Sequence, residues 1–96
     1  MQQIEIQHEE GAGRGRYYAK VDGAPREAEL TWVERGDVRH ATHTYVPDEA
    51  RGQGIAEQLV KAMLADARDG GFRIAPDCSY VATYFRRHPE LAELQA

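Results

Sequence analysis

Arg51-Gly52-Gln53-Gly54-Ile55-Ala56 sets a cation and two glycines where a strand-like run passes into an amphipathic helix. The first backbone N–H groups of a helix have no partner inside it and lie at the positive end of its dipole. That end can hold a polyphosphate without a metal. Gly52 and Gly54 keep side chains clear of such a ligand, and Arg51 adds positive charge. Without its flanks, the same glycine pair would serve equally as a tight turn that binds nothing. Other side chains suited to proton or acyl transfer are His40, His43, Cys78, Tyr80 and Tyr84. An imidazole titrates near neutrality and can act as a base, although His40 and His43 also suit a structural or surface position. Cys78 is expected just before or within the first turn of a second helix, where the positive dipole end favours the thiolate. There it can take up an acyl group, or simply pack as a small buried residue.

The elements that must position these residues follow from hydrophobic periodicity, which changes from two to helical only once, near residue 50. Strands are expected first and helices after. Ile4-Glu5-Ile6 alternates and stops at a glycine-rich turn over residues 9–15. A second strand over 17–21 closes with Asp22-Gly23, a third covers 28–34, and a fourth covers 38–46. Ile55, Leu59, Met63 and Ala67 then recur every fourth position, with Val60 and Leu64 widening the stripe, until Gly70-Gly71 ends the helix. Residues 72–75 make one short strand, and Pro76-Asp77 lead into a helix over 78–87 that His88-Pro89 closes. A right-handed β-α-β crossover sets the strand at Phe72 beside and parallel to the one ending at Val46. Where two such strands diverge they leave a cleft at their C-terminal ends, here bordered by Val46 and Ala75. Unpaired backbone at Thr44, Tyr45 and Val46 can hydrogen-bond an extended, amide-bearing ligand along that edge. Pro47 has no N–H to donate and suits the point where strand pairing stops.

Ninety-six residues make one small domain, and a 42% hydrophobic, 29% charged composition is that of an ordinary folded chain. The formal charge of −4 argues against general nucleic-acid binding. No apolar run is long enough to cross a bilayer, and residues 1–5 lack the features of a signal peptide, so no membrane partner and a cytoplasmic location are expected. The single cysteine excludes an internal disulfide. No metal is expected, because His40, His43 and Cys78 have no recognisable ligand spacing.

The six-residue turn matches the acyl-CoA signature of the GNAT superfamily of N-acetyltransferases, Arg/Gln-x-x-Gly-x-Gly/Ala, with Ala56 in the last place. Thr42-His43-Thr44-Tyr45-Val46-Pro47 before it, and Pro76-Asp77-Cys78-Ser79-Tyr80-Val81 with His88-Pro89-Glu90 after it, resemble the short YjdJ-type branch of that superfamily. The resemblance spans nearly the whole chain. It implies an α/β (α+β) fold with a mostly antiparallel sheet and a central parallel splay, one domain over residues 1–96, and acetyl-CoA in the splay. The pantetheine would pair with Thr44, Tyr45 and Val46, and the pyrophosphate would rest on the amides of Gly52, Gln53, Gly54, Ile55 and Ala56, with Arg51 beside it.

The same resemblance implies acetyl transfer to an amine. Its catalytic candidates are Cys78, Tyr80, Tyr84 and His43. The N–H at or beside Val46 would polarise the thioester carbonyl, and a tyrosine of the second helix would protonate the departing thiolate. The sequence leaves the choice between Tyr80 and Tyr84 open, and also whether His43 faces the acceptor, since strand register decides that. Larger members of the superfamily have an N-terminal helical region and a C-terminal extension around the acceptor that do not fit here, so an open acceptor site is expected. That favours a lysine or N-terminal amine of a protein or peptide, or a loosely selected small amine. The alternative is a CoA-binding module with little or no transfer. A monomer or weak homodimer is expected.

Overall fold

The computed structural model describes residues 4–96. Four antiparallel strands come first: β1 (Gln7–Gly11), β2 (Arg14–Ala19), β3 (Ala28–Arg35) and β4 (Val38–Tyr45). A 3-10 turn, Asp48–Ala50, leads into α1 (Ile55–Gly70), which carries the chain to β5 (Arg73–Ala75). Then follow α2 (Ser79–Arg87) and a second 3-10 segment, Pro89–Leu94. The strands lie in the order β1-β2-β3-β4-β5, and only β4 and β5 are parallel. This is the α+β sheet with one parallel pair that the sequence predicts.

One face of the sheet, here the inner face, contributes Tyr17, Leu30, Trp32 and Ala41 to the core. The predicted stripe of α1 lies against it, with Ile55, Leu59, Val60, Met63, Leu64 and Ala67 all buried. Fully burying a large aliphatic side chain stabilises by about 1.5–3 kcal/mol, so this stripe fixes α1 far more firmly than its helix propensity could. α2 adds Val81, Tyr84 and Phe85 to the same core. The other face of the sheet presents exposed or half-buried side chains, among them Arg16, Thr31, Thr42 and His43.

Three segments differ from the sequence reading. The second strand runs over Arg14–Ala19 rather than 17–21, and residues 20–27 form a longer connection to β3 in place of a hairpin turn at Asp22-Gly23. The first strand begins at Gln7, not at Ile4, and takes in Glu9, Glu10 and Gly11, which read as turn. Every residue of β1 is exposed, so it has no hydrophobic alternation to reveal it. Backbone pairing with β2 and the Arg16–Glu9 ion pair at 2.8 Å hold it in place. The turn itself is only Ala12-Gly13, both left-handed, at φ 56° and 77°, as a two-residue hairpin of this twist requires. The 3-10 segment Pro89–Leu94 was also unforeseen, being too short to display a period. It buries Leu91 and Leu94 and brings Gln95 into a parallel bridge with Ile74 of β5.

Candidate active site

β5 is too short to follow β4 to its end. The two pair only through Val38↔Arg73, Arg39↔Ile74 and His40↔Ala75. One more bond spans the gap, from the Cys78 N–H to the Ala41 carbonyl at 2.9 Å. Beyond it the chain turns into α2 while β4 runs on to Tyr45, and among the described residues no strand pairs with that edge of β4. The splay opens a cleft of about 410 Å³. Thr44, Tyr45 and Val46 form one wall. Ala50, Arg51, Gly52, Gly54, Ile55 and Ala56 form the end beside the helix, with Glu57 and Tyr80 completing the lining.

The start of α1 is built from left-handed glycines. Gly54 is its N-cap at φ 76°, and Gly52 has φ 81°. A residue with a Cβ would be disfavoured there by about 1–2 kcal/mol. No side chain caps this helix, and its first internal bond runs from the Gln58 N–H to the Gly54 carbonyl at 3.2 Å. The N–H groups of Ile55, Ala56 and Glu57 therefore have no partner within the helix. Arg51 stands at the mouth, its Nε 3.0 Å from Asp48 Oδ1, with both side chains mostly exposed. Such surface pairs contribute at most about 1 kcal/mol, so little opposes Arg51 turning to an anion. Gln53 is not part of the lining; its amide nitrogen lies 3.5 Å from the Glu49 carbonyl.

At the apex of the splay, the Cys78 Sγ lies 3.3 Å from the Thr44 hydroxyl. Cys78 is the N-cap of α2, yet its thiol makes no capping bond, so sulfur and hydroxyl are left to each other. A β-bulge brings Thr44 round to this position. Thr31 pairs with His43 but Trp32 with Ala41, which makes Thr42 the extra residue. Simple alternation would put Thr42 and Thr44 on one face. The bulge instead sets Ala41 and Thr44 opposite the buried Trp32 and Leu30, while Thr42 and His43 are exposed and lie with Thr31 on the outer face. His43 is thus on the opposite side of the sheet from the Cys78 thiol. The Tyr45 ring lies beneath the Arg26 guanidinium at 4.0 Å, so Tyr45 lines the cleft from a ring held elsewhere.

Residues 16–94 match the family of GCN5-related N-acetyl-transferases. The chain belongs to this family. It is similar to Protein NATD1 of Gallus gallus, with 31% identity over 85 residues that span 88% of this chain and 77% of the relative. Protein NATD1 of Homo sapiens is 29% identical over 87 residues, spanning 90% of this chain and 75% of the relative. Among solved structures, a GCN5-like protein from Staphylococcus aureus, determined in solution by NMR, superimposes with a TM-score of 0.74 at 26% identity. That alignment covers all of this chain and 91% of the other.

Within this N-acetyltransferase fold the two tyrosines have different surroundings. Tyr80 is the one exposed large hydrophobic side chain among the described residues, and it lines the main cleft. Tyr84 is buried, its ring stacked on His88 at 4.3 Å and its hydroxyl 3.5 Å from Glu57 Oε2. Burial raises the pKa of both phenols above the ordinary tyrosine value, and the Glu57 charge adds to it. Both therefore remain protonated donors at neutral pH. Glu57 is a residue that the sequence did not single out. It borders the main cleft and a smaller one of about 200 Å³ that continues past Tyr80 to Thr83, Arg87 and His88. Its acidity in the first turn of α1 was visible, but its position beside α2 depends on the packing of two helices.

A wider depression of about 560 Å³ lies over β1, β2 and β3, bordered by Arg14, Arg16, Thr31 and Thr42. It has no helix N-terminus among its lining residues, so the cleft of about 410 Å³ at the start of α1 is the better site for a phosphate-bearing ligand. Among the described residues, no group of three or more His, Cys, Asp or Glu is arranged to hold a metal. No helix of the described residues is long and apolar enough to cross a membrane.

Proposed function

We propose that residues 1–96, acting as one domain in the cytoplasm, bind acetyl-CoA and transfer its acetyl group to an amine. The observation that carries this reading is the splay between β4 and β5, opening directly onto an uncapped helix start flanked by left-handed glycines. The free edge at Thr44, Tyr45 and Val46 suits the amides of pantetheine. The N–H groups of Ile55 and Ala56 suit the pyrophosphate, with Arg51 at the mouth and Arg87 in the adjoining cleft as available cations. Acetyl-CoA, when bound, supplies an activated acetyl thioester. The N–H at or beside Val46 serves the developing oxyanion, and Tyr80, protonated and on the cleft wall, gives its proton to the departing thiolate. The acceptor is a lysine or N-terminal amine of a protein or peptide, or a small amine.

Thiol release from acetyl-CoA, followed across a panel of amines and lysine peptides, tests this reading. Acetyl transfer at least about tenfold above the uncatalysed thioester reaction, and dependent on which amine is offered, is expected. Background rates with every amine would leave a CoA-binding module instead. The nearness of Cys78 and Thr44 supports a route in which the thiol takes the acetyl group first. On that route, the protein incubated with acetyl-CoA gains the mass of one acetyl group, and Cys78→Ala abolishes both the adduct and most of the transfer. A Cys78→Ala protein with full activity would show that transfer to the amine is direct.

A further inference from the structure

Glu57 and Tyr80 border two clefts at once. The main one contains the strand edge at Thr44 and the start of α1, and the second, of about 200 Å³, runs on past Thr83 to Arg87 and His88. The α2 side of this second cleft follows from helical spacing. Tyr80, Thr83, Tyr84 and Arg87 stand at i, i+3, i+4 and i+7 and so share one face of the helix. That face meets the first turn of α1, where the Tyr84 hydroxyl lies 3.5 Å from Glu57 Oε2.

The charges around the second cleft are unevenly matched. Glu57 has Lys61 Nζ at 3.7 Å, and His88 Nδ1 lies 3.2 Å from Glu90 Oε2. Arg87 is exposed and forms no ion pair among the described residues. Its neighbour Arg86 is turned to Thr83, with Nη2 donating to Oγ1 at 3.2 Å. The Thr83 oxygen accepts that bond and keeps its own O–H to donate. An unpaired guanidinium and a hydroxyl donor, one helical turn apart, therefore face the same concavity, which is the chemistry that receives an anion.

Resting on the acetyl-CoA reading above, we infer that the second cleft holds the 3′-phosphate of the adenosine half of CoA, with Arg87 as its cation and the Thr83 hydroxyl as a donor. CoA carries its pyrophosphate between two arms. With that group on the Ile55 and Ala56 N–H groups and pantetheine along Thr44, Tyr45 and Val46, the adenosine arm leaves the helix start by another path. The residue after Ala56 is Glu57, which stands where the second cleft opens. Backbone donors at the glycine turn serve any pyrophosphate, so they cannot register whether a 3′-phosphate is attached. Arg87 can. It gives the chain a preference for acyl groups carried on 3′-phosphorylated CoA over those carried on dephospho-CoA or on a pantetheine phosphate without adenosine. The site is open to solvent and beside the last turn of α2, whose carbonyl ends repel an anion, so the expected preference is about tenfold rather than a thousandfold.

Calorimetry with CoA and with dephospho-CoA on wild type, Arg87→Gln, Thr83→Val and Arg86→Gln tests this. Wild type should bind CoA about tenfold more tightly than dephospho-CoA, with the ratio shrinking as salt is raised. Arg87→Gln should lower CoA affinity about tenfold while dephospho-CoA stays within about twofold, which brings the ratio near one. Thr83→Val should reduce the ratio about threefold. Arg86→Gln removes the same charge outside the cleft lining and should keep the ratio within about twofold. Arg86 and Arg87 are exposed, so their variants should melt with wild type. Equal wild-type affinity for the two compounds would overturn the inference. So would an Arg87→Gln protein that loses affinity for both alike, since its guanidinium would then serve the pyrophosphate. Either result leaves the acetyl-CoA reading standing, because CoA still binds. Binding of neither compound by wild type would remove both.

Discussion

Gly54→Glu is expected to weaken acetyl-CoA binding by about 100-fold or more, a loss of about 2.7 kcal/mol or greater. Two effects act together. Gly54 is the N-cap of α1 at φ 76°, where a side chain is disfavoured by about 1–2 kcal/mol, so the turn that aims the Ile55 and Ala56 N–H groups is distorted. The new carboxylate also stands at the positive end of the helix and competes with any phosphate for those donors. Gly54→Ala separates the contributions, since it brings the backbone penalty without the charge. Its melting temperature should fall by about 4–8 °C for each kcal/mol, and its affinity should fall much less than that of the glutamate variant. A folded Gly54→Glu protein with unchanged affinity would mean that the helix start does not contact the ligand.

Gly15→Ala should produce the largest loss of stability from a single methyl group. Gly15 of β2 lies between Glu10 of β1 and Trp32 of β3. A Cβ built there would run into the Glu9 carbonyl oxygen and lie 2.6 Å from the Trp32 ring. Neither neighbour can yield cheaply. The carbonyl belongs to the strand backbone, and the indole is 2% exposed beneath the Arg39 guanidinium. Forcing an extra methyl group into such a contact costs about 1–3 kcal/mol, and both close contacts here place the loss at about 2–3 kcal/mol. Thermal unfolding should then shift down by about 10–20 °C. Acetyl-CoA affinity at temperatures where the variant is folded should change little, because Gly15 does not line the donor cleft. A melting temperature within a degree or two of wild type would show that β1 can move away from β2 at no cost.

The parts of the fold legible in the sequence are those where burial writes a period. The α1 stripe reads directly because six apolar residues face one sheet, and β3 reads because alternate residues are buried. β1 did not, since an exposed edge strand is held by backbone pairing and by ion pairs that leave no pattern. In the candidate site, Gly52, Gly54 and Arg51 announce themselves because a left-handed turn before a helix needs glycine. The faces of β4 could not be read, because one inserted residue, Thr42, reverses every side chain beyond it and nothing local in the sequence marks the bulge. For the same reason His43 and His40 looked alike from sequence, whereas only His40 meets a carboxylate, 37 residues further along the chain. Glu57 and the separation of Tyr80 from Tyr84 depend on how α2 packs against the start of α1, a relation between elements distant in sequence.

The most direct measurement is a calorimetric titration of the purified protein with acetyl-CoA, with dephospho-CoA run alongside. The account predicts saturable one-to-one binding of acetyl-CoA, with a dissociation constant of roughly 1–100 μM. Dephospho-CoA should bind too, since the pyrophosphate and pantetheine contacts are shared. Absence of binding by either compound at millimolar concentration would contradict the account and make the glycine turn a structural device alone.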